Sequence, residues 1–258
     1  MSKDNKTCVG ISIENVTKSF QEHTVLNSLN LTIRPGEIFV LMGPSGTGKS
    51  VLLKILSGLD QQTEGQIRIG EYVLSEVVKN HRYVLGLVFQ AGALFNSMSV
   101  FDNLALYFRE HELCDEIEIA KRITNVLHLL NLDNIEQLMP SNLSGGMKKR
   151  VALARGLLMH PDVLLFDEPT SELDPTTAAS IIELIGFVNK KFGITTIIAS
   201  HDLLLAQNIA DHIGVLQNGS IQQIYTSDTL LSSTDPFIQN FVHPTIHLNS
   251  NYFNQILS

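Results

Sequence analysis

The sequence of 258 residues has no tryptophan, only two cysteines and a shortage of basic residues. Its 18 lysines and arginines are outnumbered by 26 aspartates and glutamates, which gives a formal net charge of −8. A nucleic-acid-binding protein takes its affinity from many Lys and Arg contacts to phosphates, so this balance argues against a nucleic-acid partner. A hydrophobic fraction of 44% with 17% charged residues indicates a globular protein with a substantial core.

Two further absences bear on location. Cys8 and Cys114 lie in neither a CxxC pair nor a zinc-type spacing, so we interpret both as reduced thiols of a cytosolic protein. The sequence contains no run of about 18 apolar residues, and the first eight residues lack the apolar stretch of a signal peptide. These features predict a protein that stays on the cytoplasmic side and does not span a membrane.

Strand and helix patterns alternate along most of the chain. The run EIFVLM at 37–42 is apolar on both faces, which is typical of a central strand in a parallel sheet. Further strands are predicted at 83–90, 162–167 and 194–200, whereas 91–155 has helical spacing and predicts an all-helical insertion. The predicted fold class is α/β, with a mainly parallel sheet.

A glycine-rich loop follows the first of these central strands and precedes a helical pattern. Residues 43–50, GPSGTGKS, fit the phosphate-loop pattern G-x-x-x-x-G-K-[ST] at every position. Its backbone N–H groups can surround phosphates, a lysine can reach the β- and γ-phosphates, and a hydroxyl can bind Mg²⁺. The predicted nucleotide-binding residues are Gly43, Pro44, Ser45, Gly46, Thr47, Gly48, Lys49 and Ser50.

Two acids end the apolar run VLLFDE. Asp167 is placed to steady Mg²⁺, and Glu168 to polarise the water that attacks the γ-phosphate. Alone, this pair is equally well explained as a solvated acidic turn. The complete phosphate loop favours the catalytic interpretation.

Three further residues have two explanations each. His201 follows the strand 194–200, where ligands bind in open α/β sheets, which favours a γ-phosphate contact over a structural role. Gln90 either caps a sheet edge or serves the site, and its spacing does not decide between them. Phe20 either packs in the core or stacks on adenine.

A second candidate anion site lies at LSGGMKKRVALARG, residues 143–156. Its serine and glycines precede a helix, whose first turn offers free N–H groups and a positive dipole end. The basic run Lys148, Lys149 and Arg150 is explained at least as well by a solvated helix face as by phosphate contact.

Together, these motifs resemble the nucleotide-binding domain of an ABC transporter, in order and in spacing, over about residues 8–235. The resemblance implies a P-loop NTPase fold with a RecA-like core, an N-terminal antiparallel β subdomain and a helical subdomain at about 91–155. Residues 236–258 are then a C-terminal extension that contacts a partner or packs on its own domain.

The resemblance also assigns roles and partners. Phe20 becomes the adenine-stacking aromatic, although Tyr is more usual, Gln90 contacts Mg²⁺ and the permease, and His201 contacts the γ-phosphate. Ser144, Gly145 and Gly146 bind the γ-phosphate of an ATP held by the Lys49 loop of a second copy. The implied cofactors are ATP and Mg²⁺, and the implied partners are a second copy and transmembrane permease subunits.

The D-loop departs from the family pattern because SELD replaces SGLD. Glu172 stands where glycine is usual, and a position that needs a positive φ would then be strained. Asp174 is kept and is assigned to the nucleotide site. It also fits the N-cap of a helix in which Pro175 lies in the first turn and Gly193 ends the last.

The resemblance is strongest to ATPases of the Mla/Mce type, which energise phospholipid traffic between the inner and outer membranes. It rests on GALF and SMSVFDN beside Gln90, and on Met147 where many importers have Gln. It implies a Mce-domain protein, sometimes a STAS-domain subunit, and a place at the cytoplasmic face of the inner membrane. The alternatives are an amino-acid, metal or lipoprotein transporter ATPase, or a soluble ABC ATPase.

Overall fold

The computed structural model describes residues 8–242 and contains two β-sheets and nine α-helices within that range. The strands are β1 (Ile11–Phe20), β2 (His23–Ile33), β3 (Ile38–Met42), β4 (Glu64–Ile69), β5 (Tyr72–Val73), β6 (Leu85–Val88), β7 (Val163–Asp167), β8 (Thr195–Ala199), β9 (His212–Gln217) and β10 (Ser220–Tyr225). The helices are α1 (Lys49–Leu56), α2 (Leu74–Asn80), α3 (Val100–Glu110), α4 (Glu116–Leu129), α5 (Gly145–Leu158), α6 (Pro175–Phe192), α7 (Leu203–Ile209), α8 (Ser227–Leu231) and α9 (Pro236–Val242).

The larger sheet has six strands in the order β10-β9-β3-β8-β7-β6. All its pairings are parallel except that of β9 with β10, which form an antiparallel hairpin. The smaller sheet is antiparallel, in the order β2-β1-β4-β5. The predicted α/β class is therefore confirmed, as is the antiparallel N-terminal sheet.

The larger sheet separates two apolar clusters, and the residues of its central strands alternate between them. In β3, Val40 and Met42 pack with helices α3 to α6, whereas Phe39 and Leu41 pack with α1 and the smaller sheet. A strand that is buried on both faces reads as a continuous apolar run, which is why EIFVLM was recognisable. The loops that follow these strands are held between two packed layers.

Helix α6 begins and ends as the sequence predicts. The Asp174 side chain accepts a hydrogen bond from the Thr177 N–H, and Pro175 occupies the first turn. Gly193 ends the helix with a φ of 64°, in the left-handed region that glycine adopts without steric cost. The D-loop is thereby tied directly to the start of a long helix.

Three helices, α3, α4 and α5, account for most of the predicted insertion at 91–155. They pack on one another and share the cluster beneath the larger sheet. Residues 91–99 form turns, and α5 continues to Leu158. The exact domain limits, including those at 91, 155 and 235, stay predictions.

Helix α9 covers the start of the predicted extension. Ile238 and Val242 are buried in the same cluster as Leu230 and Tyr225. Residues 243–258, with the aromatic residues Tyr252 and Phe253 of the predicted extension, lie outside the described residues. Across 8–242, no helix is both long enough and apolar enough to cross a bilayer.

Candidate active site

The phosphate loop joins the end of β3 to the start of α1. Two of its glycines are required by the local structure, since Gly43 has a φ of 149° and Gly48 a φ of 105°. A Cβ atom at Gly43 would lie 2.7 Å from the Leu216 carbonyl oxygen, and one at Gly48 would lie 2.8 Å from Val25 Cγ1. No side chain caps α1, so its first-turn N–H groups are available to an anion.

Lys49 is buried at the centre of this loop. Its Nζ donates hydrogen bonds to the carbonyl oxygens of Gly43, at 2.7 Å, and Pro44, at 3.1 Å. Burial lowers the pKa of Lys49, while the nearby carboxylates of Glu168 and Asp167 act in the opposite direction. The loop thus holds an ammonium group in place where the predicted phosphates would lie.

Ser50 and Asp167 form the candidate Mg²⁺ site. Ser50 Oγ donates a hydrogen bond to Asp167 Oδ1 at 2.8 Å. Burial raises the pKa of Asp167, and the bond from Ser50 partly opposes this. Between residues 8 and 242 no cluster of three or more His, Cys, Asp or Glu side chains forms a metal cage. One hydroxyl and one carboxylate fit Mg²⁺, which takes its other ligands from substrate phosphates and water.

Glu168 occupies a constrained position between the loop and His201. Its Oε2 lies 2.9 Å from His201 Nδ1, and its Oε1 lies 3.8 Å from Lys49 Nζ. The Glu168 side chain is only 13% exposed, whereas that of His201 is 63% exposed. The backbone φ of Glu168 is +48°, a left-handed conformation that costs a non-glycine residue energy and aims its carboxylate.

The side chains of Gln90 and Phe20 are both exposed. Gln90 lies two residues beyond the end of β6, so it does not end the strand as the sequence suggested. Its main-chain carbonyl accepts a hydrogen bond from Lys149 Nζ. The Phe20 ring is 46% exposed, and Lys18 Nζ lies 4.7 Å from its centroid. This placement leaves both side chains accessible to a ligand or partner.

The second candidate anion site is built at the start of α5. Ser144 is the N-cap, and its Oγ accepts a hydrogen bond from the Met147 N–H. Gly146 packs so closely on α6 that a Cβ atom would lie 2.5 Å from Thr177 Cγ2. Among residues 8–242, no hydrogen bond or ion pair links Ser144, Gly145 or Gly146 to the phosphate loop.

The structure therefore brings together the side chains of Lys49, Ser50, Asp167, Glu168 and His201. The predicted site residue Asp174 is exposed, and its carboxylate is engaged as the N-cap of α6. Within this chain, Asp174 stabilises the start of α6, and its role in nucleotide binding stays a prediction.

The structure corrects one of the two explanations of the basic run of α5, namely the solvated helix face. Lys149 is buried, and Arg150 donates hydrogen bonds to the Leu130 carbonyl and to Ser180 Oγ, so this is not a solvated face. Arg155, farther along α5, donates to the carbonyls of Gly92 and Ala93. Helical spacing does indicate that Lys149 is buried. It lies three residues after Gly146 and four before Leu153, so the three residues share one face of α5, and that face is buried.

The D-loop residue Glu172 has a φ of +64°, as expected for a position where glycine is usual. We expect Glu172→Gly to raise the free energy of unfolding by about 1 kcal/mol, because glycine adopts this conformation without a Cβ clash. Denaturant unfolding of the purified chain measures the change. Glu172→Ala, which removes the charge but keeps Cβ, is the control; equal stability of the Gly and Ala variants would contradict the strain.

Comparison with known proteins identifies close relatives. The family profile described as "ABC transporter" matches residues 26–171. The methionine import ATP-binding protein MetN 1 of Salmonella typhimurium is 38% identical over 93% of this chain and 72% of its own length. The probable ribonucleotide transport ATP-binding protein mkl of Mycobacterium tuberculosis is 38% identical over 91% of this chain and 67% of its own.

A solved structure has the same fold. It is the ATP-binding cassette MJ0796, a dimer in a post-hydrolysis state bound to ADP and Pi. Its TM-score is 0.75 at 32% identity, and the match covers 84% of this chain and 98% of that one. A second dimeric structure of the same cassette gives a TM-score of 0.74.

Proposed function

The chain belongs to the ABC transporter family, and we propose that two copies of it enclose two MgATP molecules and hydrolyse them to drive a permease. Membership makes it a P-loop NTPase of the ABC type and a transport-coupled ATPase that uses ATP with Mg²⁺. The observation that carries the proposed mechanism is the Glu168 carboxylate, which lies between Lys49 and His201.

The geometry suits hydrolysis of a γ-phosphate. Lys49 and the N–H groups of the loop would hold the phosphates, while Glu168 would orient and deprotonate the attacking water. His201, bonded to the same carboxylate, would contact the γ-phosphate from the exposed side. Mg²⁺, when bound at Ser50 and Asp167, would neutralise charge on the phosphate oxygens. Phe20 would stack on the adenine, and Gln90 would contact both Mg²⁺ and the permease.

The second anion site supports a shared arrangement. Helix α5 offers an N-terminus capped by Ser144 that no bond joins to the phosphate loop of its own chain. In a head-to-tail pair, this N-terminus would face the γ-phosphate held by the other copy's Lys49. The dimeric state of MJ0796 supports the same arrangement here. Closure on ATP and opening after hydrolysis would then be a population shift driven by ligand.

A substitution at Ser144 tests this sharing. We expect Ser144→Arg to leave the ATP affinity of the isolated chain within about threefold, since the phosphate loop is untouched, but to lower turnover at least about a hundredfold. Equilibrium binding of a fluorescent ATP analogue and steady-state ATPase assays measure the two quantities. Ser141→Arg, an exposed neighbour, is the control. Normal turnover by Ser144→Arg would contradict a role across the dimer.

We further propose that the permease docks beside Gln90, on the segment 91–103. Asn103 is fully buried and anchors this segment through four hydrogen bonds, since its side chain bonds both the N–H and the carbonyl of Phe95 and the carbonyls of Met98 and Ser99. Phe95 itself is half exposed. A fixed loop that presents an aromatic side chain is a suitable surface for a partner helix. A permease bound at this surface would hold the chain at the cytoplasmic face of the inner membrane.

The cargo that we propose is phospholipid, moved between the inner and outer membranes with a Mce-domain protein and, in some complexes, a STAS-domain subunit. Its support is the resemblance of the segment around Gln90 and of Met147. The relatives favour a second candidate, amino-acid import, because one of them is named as a methionine importer at 38% identity.

Purification of the membrane complex distinguishes the two cargos. We would isolate the complex through a tag on this chain and identify its proteins and bound lipids by mass spectrometry. A multi-span permease with a Mce-domain protein and bound phospholipid would support the first cargo. A permease that copurifies with an amino-acid-binding protein, and with no Mce-domain protein, would support the second.

A further inference from the structure

Helix α5 carries a buried lysine whose three hydrogen bonds reach two loops, one at Gln90 and one at residues 168–171. Lys149 Nζ donates to the main-chain carbonyl of Gln90, to the main-chain carbonyl of Glu168 at 3.1 Å, and to Ser171 Oγ at 3.2 Å. These acceptors belong to the segment beside the proposed permease site, to the catalytic carboxylate residue and to the D-loop. Among residues 8–242, no other side chain donates hydrogen bonds to both of these loops.

We propose that Lys149 is a positioning residue that fixes the main chain at Gln90 and at Glu168 relative to each other. The permease-facing loop and the catalytic carboxylate then move as one unit. The consequence of this coupling for transport rests on the proposed function. The coupling itself depends only on hydrogen bonds within this chain.

The bonds of Lys149 match its capacity. An ammonium group has three N–H donors, and all three have acceptors at this site. Lys149 is 9% exposed, so a displaced segment would leave a buried donor without a partner. Two of the three acceptors are main-chain carbonyls, which makes the link sensitive to backbone position and indifferent to the side chains at 90 and 168.

The hydrogen bond from Lys149 to the Glu168 carbonyl bears on catalysis, because Glu168 is the proposed general base. The same Glu168 carbonyl also accepts a hydrogen bond from Ser171 Oγ, at 2.8 Å, and Glu168 has its strained φ of +48°. Three donors on this carbonyl, Lys149 Nζ, Ser171 Oγ and the Ser171 N–H, hold the peptide in the orientation that aims the carboxylate. Loss of the stronger, charged donor would loosen that aim without removing any group from the reaction.

Arg155 offers an internal comparison on the same helix. Its guanidinium donates to the carbonyls of Gly92 and Ala93 and so holds the loop near Gln90, but it makes no bond to Glu168 or Ser171. Arg155 therefore holds only the loop near Gln90, whereas Lys149 joins that loop to the loop that contains Glu168. Variants of the two residues separate coupling from simple loop anchoring.

Hydrogen–deuterium exchange of the purified chain tests the link directly. The Gly92 N–H is bonded to the Phe89 carbonyl, and the Ser171 N–H to the Glu168 carbonyl, so both amides report local opening. We expect Lys149→Met to speed exchange at least about fivefold in both segments, and Arg155→Met to do so only near Gly92. Lys148→Met, at the neighbouring and only partly buried lysine, is the matched control and should change neither.

Kinetics give a second readout. We expect Lys149→Met to lower kcat at least about tenfold while KM for MgATP changes less than about threefold, because the phosphate loop is intact and only the aim of Glu168 is lost. Lys149→Gln, which keeps two N–H donors, should recover part of kcat, and it replaces the Met variant if that chain fails to fold.

The outcomes separate this inference from the proposed function. Exchange that rises in only one segment, or a Lys149→Met kcat within about twofold of wild type, overturns the coupling. A wild-type chain that hydrolyses no ATP, alone or with its permease, would overturn the proposed function while the exchange pattern still tests the link.

Discussion

Lys49→Ala is expected to abolish ATP hydrolysis and to weaken ATP binding at least about a hundredfold. The substitution removes the only ammonium group that the structure buries within the phosphate loop, and charge-assisted bonds to phosphate are among the strongest in proteins. It also removes the Lys49 hydrogen bonds to the carbonyls of Gly43 and Pro44, of which Pro44 keeps only the bond from Thr47 Oγ1, so the loop loses support as well as charge. Titration with a fluorescent ATP analogue and a phosphate-release assay measure both effects.

The matched control is Lys54→Ala on the same helix. Lys54 is exposed in α1 and makes no bond to the loop, so binding and turnover should stay within about twofold of wild type. Normal ATPase activity in Lys49→Ala, with the variant folded by circular dichroism, would contradict the site assignment.

Glu168→Gln is expected to lower turnover at least about a hundredfold while ATP stays bound. Glutamine keeps the size of the side chain and its φ of +48°, but it cannot take a proton from the attacking water. Binding should persist because Lys49 and the loop N–H groups are unchanged. Single-turnover assays separate the lost chemical step from nucleotide affinity.

The control for this variant is Glu172→Gln. Glu172 lies four residues away and is exposed, so loss of its charge should leave turnover within about threefold of wild type. If Glu168→Gln hydrolysed ATP at the wild-type rate, Glu168 would not be the general base.

Much of the fold and of the site could be predicted because the signals are local. The phosphate loop needs glycines at defined positions, and Gly43 and Gly48 have the positive φ values that make glycine necessary. The predicted α6 has its cap and its terminating glycine where the structure places them. Acids at the end of a buried strand reach the loop because parallel strands end at one edge of the sheet.

What the sequence did not predict depends on contacts between distant segments. Lys149 looks like one of three solvent-facing basic residues until α5 is packed against the loops that contain Gln90 and Ser171. Helices α2 and α7 have seven residues each, too few to establish a helical period. The cargo is equally remote from local signals, because the motifs of this sequence concern ATP and not a transported molecule.

Enclosure of each ATP by two copies of the chain can be measured by light scattering of the Glu168→Gln variant. With saturating MgATP, we expect a mass twice the 28.6 kDa of one chain, and a return to the single-chain mass when Ser144→Arg is added to the same variant. A Glu168→Gln chain that binds MgATP but stays monomeric, or a dimer that is indifferent to Ser144→Arg, is incompatible with ATP shared between two copies.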